Sequence, residues 1–443
     1  YCQDLSLDGL ILLGGPRSAT DAAYLTEYLL QHTDIHTAVV TVPLTIDGSI
    51  KNQFVETTVG FDTASKFTAQ IVGNNATDGA SAKKYYYFQR LMGQEPSNLA
   101  LEVALATKPN YTILAEEVEA NNITLSGIVN DIADMVEERA RRGKNYGSVV
   151  IPEGLIESIP ELKLLLRELD DVYKDADSSG DKLTKDTVKE RLTLWSRALL
   201  ESLPEYIQVQ LMLQRTHANK VQLSQAETER LLAHFVDLEL SYRKKKGTYK
   251  GTFSVVCSFI GYQARGALPS NFDMTYAYNL GHVATILVAN GFTGYMATIS
   301  NLRAGVHAWR AGGVPISALM TTKSGQGKPS IPNAKIDMGS PSYLAFAEGK
   351  AQWCAEDLYE NPGPMQFSGP TADDISHSLR LESFDYLTHI QSLYGALQDI
   401  TTQCRPGCSS TVLKIATSNL TALTDILTMV HETEASHPAV TRR

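Results

Sequence analysis

The chain has 443 residues, 43% of them hydrophobic and 20% charged, with a formal net charge of -10. That size and apolar content provide for two or more domains with a substantial core, and the acidic balance argues against a polyanion partner such as nucleic acid and against any phosphate ligand without a local cationic pocket. No apolar run reaches the roughly 18 residues of a membrane-spanning helix, and five scattered cysteines (Cys2, Cys257, Cys354, Cys404, Cys408) suit a reducing cytoplasm better than a disulfide framework.

In chain order, residues 8–15 read as strand then turn, with Leu10-Ile-Leu-Leu13 leading into Gly14 and Gly15. Gly14-Gly-Pro-Arg-Ser18 precedes a helical pattern over 20–31. Glycines at a helix N-terminus let the backbone approach a phosphate, although Gly-Gly also makes ordinary turns. The β-branched run 37–40 reads as a buried strand whose ladder pairing ends at Pro43. Together these form a β-α-β unit, the element of a parallel sheet. Thr45, Asp47 and Ser49 then fall in the loop at a strand's carboxyl end, where open α/β sheets bind ligands. A carboxylate fixed there can take a proton from a substrate hydroxyl; taken alone, Asp47-Gly48 is more commonly a plain turn with no chemistry.

The pattern continues with a helix at 64–83, an aromatic strand at 85–91, a helix at 97–106 and a strand at 111–115. A helix at 125–142 ends in an Arg-rich turn, as the helix dipole favours, and a strand at 147–151 runs into Pro152-Glu-Gly154. Residues 158–250 are charged and helical without β-α alternation, a mostly helical insertion. Strand signals return over 249–261, then a helix at 277–290, a strand at 294–299, an irregular tail from 329, and an amphipathic helix near 409–431. Three stretches imitate binding loops. Asp175 to Asp186 has the spacing of a calcium loop, but Lys182 stands where an apolar residue belongs and Asp186 replaces the bidentate Glu, so it reads as a solvated loop. Ser324-Gly-Gln-Gly-Lys-Pro329 reads as a mobile turn, and Arg243-Lys-Lys-Lys246 as a helix's solvated end. Cys404 and Cys408 lack a second Cys/His pair and make no zinc site.

Thr45-Ile-Asp-Gly48 followed by Gly60-Phe-Asp-Thr-Ala64 resembles the phosphofructokinases, especially their long pyrophosphate-dependent group. The resemblance extends through Lys83-Lys-Tyr-Tyr-Tyr-Phe-Gln-Arg-Leu-Met-Gly-Gln94, Ile151-Pro-Glu-Gly154, Gly261-Tyr-Gln-Ala-Arg-Gly266, Leu268-Pro-Ser-Asn-Phe-Asp273, Gly294-Tyr-Met-Ala-Thr298 and Glu356-Asp-Leu-Tyr-Glu-Asn-Pro-Gly-Pro364. It is nearest to the regulatory type of subunit in that group. It implies two Rossmann-like α/β domains with parallel sheets and the site in their cleft. Residues 1–62 with 255–325 would form a remnant of the first domain and 63–157 the second, with the helical insertion at 158–250 and a C-terminal extension at 326–443. A glycine-rich phosphate loop would precede Tyr1, so the chain reads as truncated there.

By the same resemblance, Asp47 matches the base that deprotonates the sugar hydroxyl. Thr45 and Glu153 would contact the sugar, Tyr262 and Arg265 its phosphate, and Gly14, Gly15 and Ser18 the phosphoryl donor. The family reaction moves phosphoryl from pyrophosphate to fructose 6-phosphate with Mg2+. Six positions depart from the pattern: Leu44 for the pyrophosphate-contacting Lys, Ser49 for a second Asp, Pro16 and Arg17 for the pair that carries the magnesium-site Asp, Gln94 for the Arg that reaches the sugar phosphate across subunits, and Gln263 for a Glu. Losing the charge-assisted contact at Gln94 weakens sugar-phosphate binding by on the order of 1.5–3 kcal/mol. With the metal-site carboxylates missing, the expectation is a cytoplasmic regulatory subunit, paired with a catalytic beta subunit or beta half in a homo- or hetero-oligomer. The alternatives are an active phosphofructokinase using pyrophosphate or ATP, and a scaffold that binds nothing.

Overall fold

In β1 (Gly9–Gly14) the apolar residues alternate in exposure, while in β2 (Ala38–Pro43) every residue is buried. The structure, a computed structural model, describes residues 2–32, 36–93, 95–179, 184–213, 223–322 and 328–382. Between these strands α1 (Pro16–Leu30) begins with Pro at its first position, where the missing N–H is no loss. It therefore starts inside the Gly-Gly-Pro-Arg-Ser turn, four residues before the periodicity announces it. Pairing also outlasts Pro43: β1 and β2 run parallel up to Gly14↔Pro43, Leu44 N–H donates to the Gly14 carbonyl (3.0 Å), and Leu44 bridges Val59. Donors of even-numbered residues point to β1. Pro43 would donate to the other neighbour, which pairs β2 at Val40 and Thr41, so the missing N–H interrupts nothing.

α2 (Phe61–Ala82) leads into the second sheet, β3 (Tyr86–Leu91), α3 (Asn98–Thr107), β4 (Tyr111–Thr112), α4 (Ala115–Ala120), α5 (Leu125–Arg141) and β5 (Gly147–Pro152). β4 is two residues long, because the backbone from Leu114 already caps α4. After the short α6 (Leu155–Ser158), the insertion supplies α7 (Pro160–Ser179), α8 (Lys185–Arg191), α9 (Leu194–Ser202), α10 (Glu205–Leu213) and α11 (Thr228–Lys246). It shares its core with the second sheet: Leu165, Leu200, Leu232 and Val236 pack in one cluster with Phe88, Val149 and Ile151. Asp175 lies inside α7 rather than in a loop, while Gly180 to Leu183 lie outside the described residues. Arg243 is ion-paired to Glu239, Glu137 and Asp134, so the end of α11 is solvated at Lys244–Lys246 but not at Arg243.

β6 (Val255–Ile260) pairs with β3 and completes an all-parallel sheet of order β4-β5-β3-β6. The expectation that placed residues from 255 with the first domain is thereby corrected at its edge. The chain returns to the first sheet only after α12 (Tyr262–Arg265) and α13 (Asn271–Ala289), with β7 (Tyr295–Ser300) and the antiparallel β8 (Arg310–Pro315) giving the order β1-β2-β7-β8. The tail carries α14 (Pro341–Ala355), which the irregular composition hides, and α15 (His377–Glu382). Residues 1–381 form one unit and 382–443 a second; residues 409–431, Cys404 and Cys408 lie outside the described residues, as do Ser324 to Gly327.

Candidate active site

The loop after β2 is pinned before it reaches Asp47. Thr45 N–H donates to the Val59 carbonyl (3.1 Å), and the fully buried Thr58 hydroxyl donates to the Thr45 carbonyl (2.9 Å). Ser49 N–H donates to Asp47 Oδ1 (3.1 Å), an Asx turn that fixes the carboxylate's direction. Gly48 has φ +64°, and a Cβ there would stand 3.3 Å from the Phe61 ring, so the turn requires glycine. The Asn98 amide donates to the Gly48 carbonyl (3.2 Å) and to that of Ala334 (3.0 Å), tying the loop to α3. Asp47, half-buried, ends directly against the strand ends of the second sheet: a Cβ on Gly93 would lie 3.3 Å from its own Cβ.

Glu153 comes from the exit of β5. Its N–H donates to the Leu91 carbonyl (3.0 Å), and Gly93 N–H donates to Glu153 Oε2 (2.9 Å). Burial raises its pKa, with Asp47 adding to the rise, while the Gly93 N–H and the Arg90 charge oppose it. The site thus sets a half-open carboxylate, Asp47, beside a buried one, Glu153. Each follows the carboxyl end of a strand in a different sheet, β2 for Asp47 and β5 for Glu153.

Behind Asp47, the Gly60-Phe-Asp-Thr-Ala motif and the Leu-Pro-Ser-Asn-Phe-Asp motif meet. Asp273 accepts from Gly60 N–H (3.0 Å) and Thr63 N–H (2.8 Å), capping α2, and Asp62 accepts from the Ser270 hydroxyl (2.6 Å) and Lys66 (2.6 Å). Burial, with Asp273 close by, pushes the Asp62 carboxyl up to about 6 against the pull of Lys66. These carboxylates hold the loop's far wall, since Gly60 lies against the Thr45 carbonyl.

The turn at Gly14 and Gly15 also packs on the loop: a Cβ on Gly15 would stand 3.1 Å from Thr45 Cγ2 and 3.9 Å from Ser49 Oγ. Arg17 and Ser18 are exposed, Leu44 is 42% exposed, and Ser49 is buried. A Mg2+ ion takes hard oxygen ligands in octahedral array. Two glycines, a proline, an arginine, a leucine and two serines, one exposed and one buried, are not such a set, and among the described residues no three His, Cys, Asp or Glu side chains gather to hold a metal. These residues do not fit the ion.

Tyr262 and Arg265 leave the end of β6 next to that of β3. Met92 N–H donates to the Ile260 carbonyl (3.1 Å), and the Arg265 guanidinium lies 5.0 Å over the Tyr262 ring. Both side chains are exposed. Gln94 lies outside the described residues. Sequence reasoning passed over Arg90, Asn98, Phe259 and Asp273; the motifs around Arg90 and Asp273 mark the stretch, but nothing in them distinguishes a buried charged residue from a surface one.

The Phosphofructokinase family model matches residues 1–288. The chain is 46% identical over 444 residues to "Pyrophosphate--fructose 6-phosphate 1-phosphotransferase subunit alpha 2" of Arabidopsis thaliana, covering 98% of this chain and 71% of that protein. To the beta 1 subunit of the same plant it is 42% identical over 382 residues (85% and 66%), and to the Treponema pallidum pyrophosphate--fructose 6-phosphate 1-phosphotransferase 41% over 387 residues (85% and 67%). The alpha match extends farther along the chain than the beta match.

Proposed function

The chain belongs to the phosphofructokinase family, and on that premise we propose that it is the regulatory alpha subunit of a cytoplasmic pyrophosphate-dependent fructose 6-phosphate 1-phosphotransferase, partnered by a catalytic beta subunit. The observation that carries the proposal is the asymmetry of the site. Its sugar side keeps Glu153, Tyr262 and Arg265, while its donor side presents Leu44, Ser49, Pro16 and Arg17 where the family reaction needs a lysine and carboxylates. Phosphoryl transfer relies on positioning and on neutralising charge around the transferred group. A base at Asp47 can accept a hydroxyl proton, but the side chains on the donor side offer no such neutralisation. In this role Glu153 accepts from sugar hydroxyls, Tyr262 and Arg265 hold the sugar phosphate, and occupancy is reported to the partner.

Titration calorimetry of the purified chain with fructose 6-phosphate tests this. Binding that Arg265→Ala weakens about tenfold or more, as loss of a charge-assisted contact does, supports it; no binding, alone or with the beta subunit, refutes it. A second reading, an active phosphotransferase, is favoured by the Asx-fixed Asp47 beside Glu153. Turnover that disappears in Asp47→Asn would establish that reading.

A further inference from the structure

Arg90 heads the largest fully buried side chains of the described residues, on β3 three residues before Gly93. Its Nε donates to Glu229 Oε2 (2.6 Å) and a terminal nitrogen to the Ser224 carbonyl (3.2 Å), both groups from the helical insertion. Its guanidinium lies 4.0 Å over the Phe259 ring of β6. The Phe259 ring meets that of Tyr262 edge-on at 6.0 Å, and it fills the space under the turn that launches Tyr262: a Cβ on Gly261 would stand 2.5 Å from Phe259 Cζ. Arg265 then lies over Tyr262, and the Arg90 charge also reaches Glu153. A buried ion pair adds little net stability over well-packed apolar residues, because desolvation offsets the attraction. What the pair does supply is a single guanidinium geometry, through two donors with fixed directions and a stacked face.

Resting on the reading of Glu153, Tyr262 and Arg265 as the sugar-phosphate side, we infer that Arg90 is a positioning residue for that side. The helical insertion sets its place through Glu229. The insertion thereby acts on the site through the line Glu229, Arg90, Phe259, Tyr262.

The experiment is a coupling measurement on the purified full chain. Fructose 6-phosphate affinity is measured by calorimetry for wild type, Glu229→Gln, Phe259→Leu, Arg265→Ala and the Glu229→Gln/Arg265→Ala pair, with melting curves alongside. Glu229→Gln and Phe259→Leu should each weaken binding about three- to tenfold, the range of mutations that act through a neighbour. Glu229→Gln should add nothing further once Arg265 is gone, since the line from Glu229 ends at Tyr262, over which Arg265 lies. Unchanged affinity in both single variants while Arg265→Ala loses binding overturns the inference and leaves the site reading intact. So does a double variant whose loss is the product of the two singles, the signature of two independent effects. If wild-type affinity does not depend on Arg265, the site reading fails and the inference falls with it.

Discussion

At the scale of single residues, the two carboxyls behind the site have opposite signatures in stability. Asp273 satisfies two backbone donors of α2 and the Thr63 hydroxyl from a buried position. Asp273→Ala should lower stability by about 2–4 kcal/mol in urea denaturation, the sum of a lost cap and buried donors left unpaired. Asp62 gives a pH signature. Its folded pKa of about 6 lies above the ordinary 3.8, so the folded chain binds this proton more tightly than the unfolded one. The stability it provides is complete below about pH 4 and is lost as pH rises through about 6. Relative to wild type, Asp62→Asn should therefore gain stability between those values, by up to about 3 kcal/mol. Denaturation midpoints that stay a fixed distance apart across that range would contradict the account.

Residue identity was legible where chemistry is written in the side chain, as with Asp47 at a strand end. It was not legible for Arg90 or Asp273, because a charged residue inside a motif gives no sign of whether water or protein surrounds it. Pro43 misled for a related reason. A proline's missing donor matters only on the side where a partner strand exists, and that side is fixed by tertiary pairing.

Among the elements, the strands and helices of the opening β-α-β unit follow from periodicity and Gly/Pro punctuation alone. The assignment of β6 to a sheet does not, since a parallel strand carries the same apolar run whichever sheet receives it. The helical insertion was visible as a change of pattern, but its sharing a core with the second sheet was not. The tail is held to that sheet by Arg139, buried on α5, which donates to Asp357 (2.7 Å) and to the Tyr146 carbonyl (2.9 Å), while Tyr146 donates to the other Asp357 oxygen (2.7 Å). Asp357→Ala should strand the buried guanidinium and cost about 3 kcal/mol, read as a lower melting temperature. It should also speed protease cleavage in the segment after α14. Replacing Arg139 by Met in the same chain should recover much of the loss, because no unpaired charge then remains.

For the whole molecule, the two-sheet α/β architecture was anticipated by the motif series, while the part Gly93 plays between Asp47 and Glu153 was not. Leu44, Ser49, Pro16 and Arg17 differ in chemical kind from lysine and carboxylates, which is why the account assigns the donor chemistry to a partner. The division of labour between this chain and a catalytic partner is the central claim, and phosphotransfer to fructose 6-phosphate tests it most directly. The purified chain is assayed alone and mixed with a beta subunit, with pyrophosphate and then ATP as donor. The account predicts silence from the chain alone with either donor, and a changed rate or effector response of the beta subunit on mixing. Turnover by the lone chain that vanishes in Asp47→Asn would contradict it.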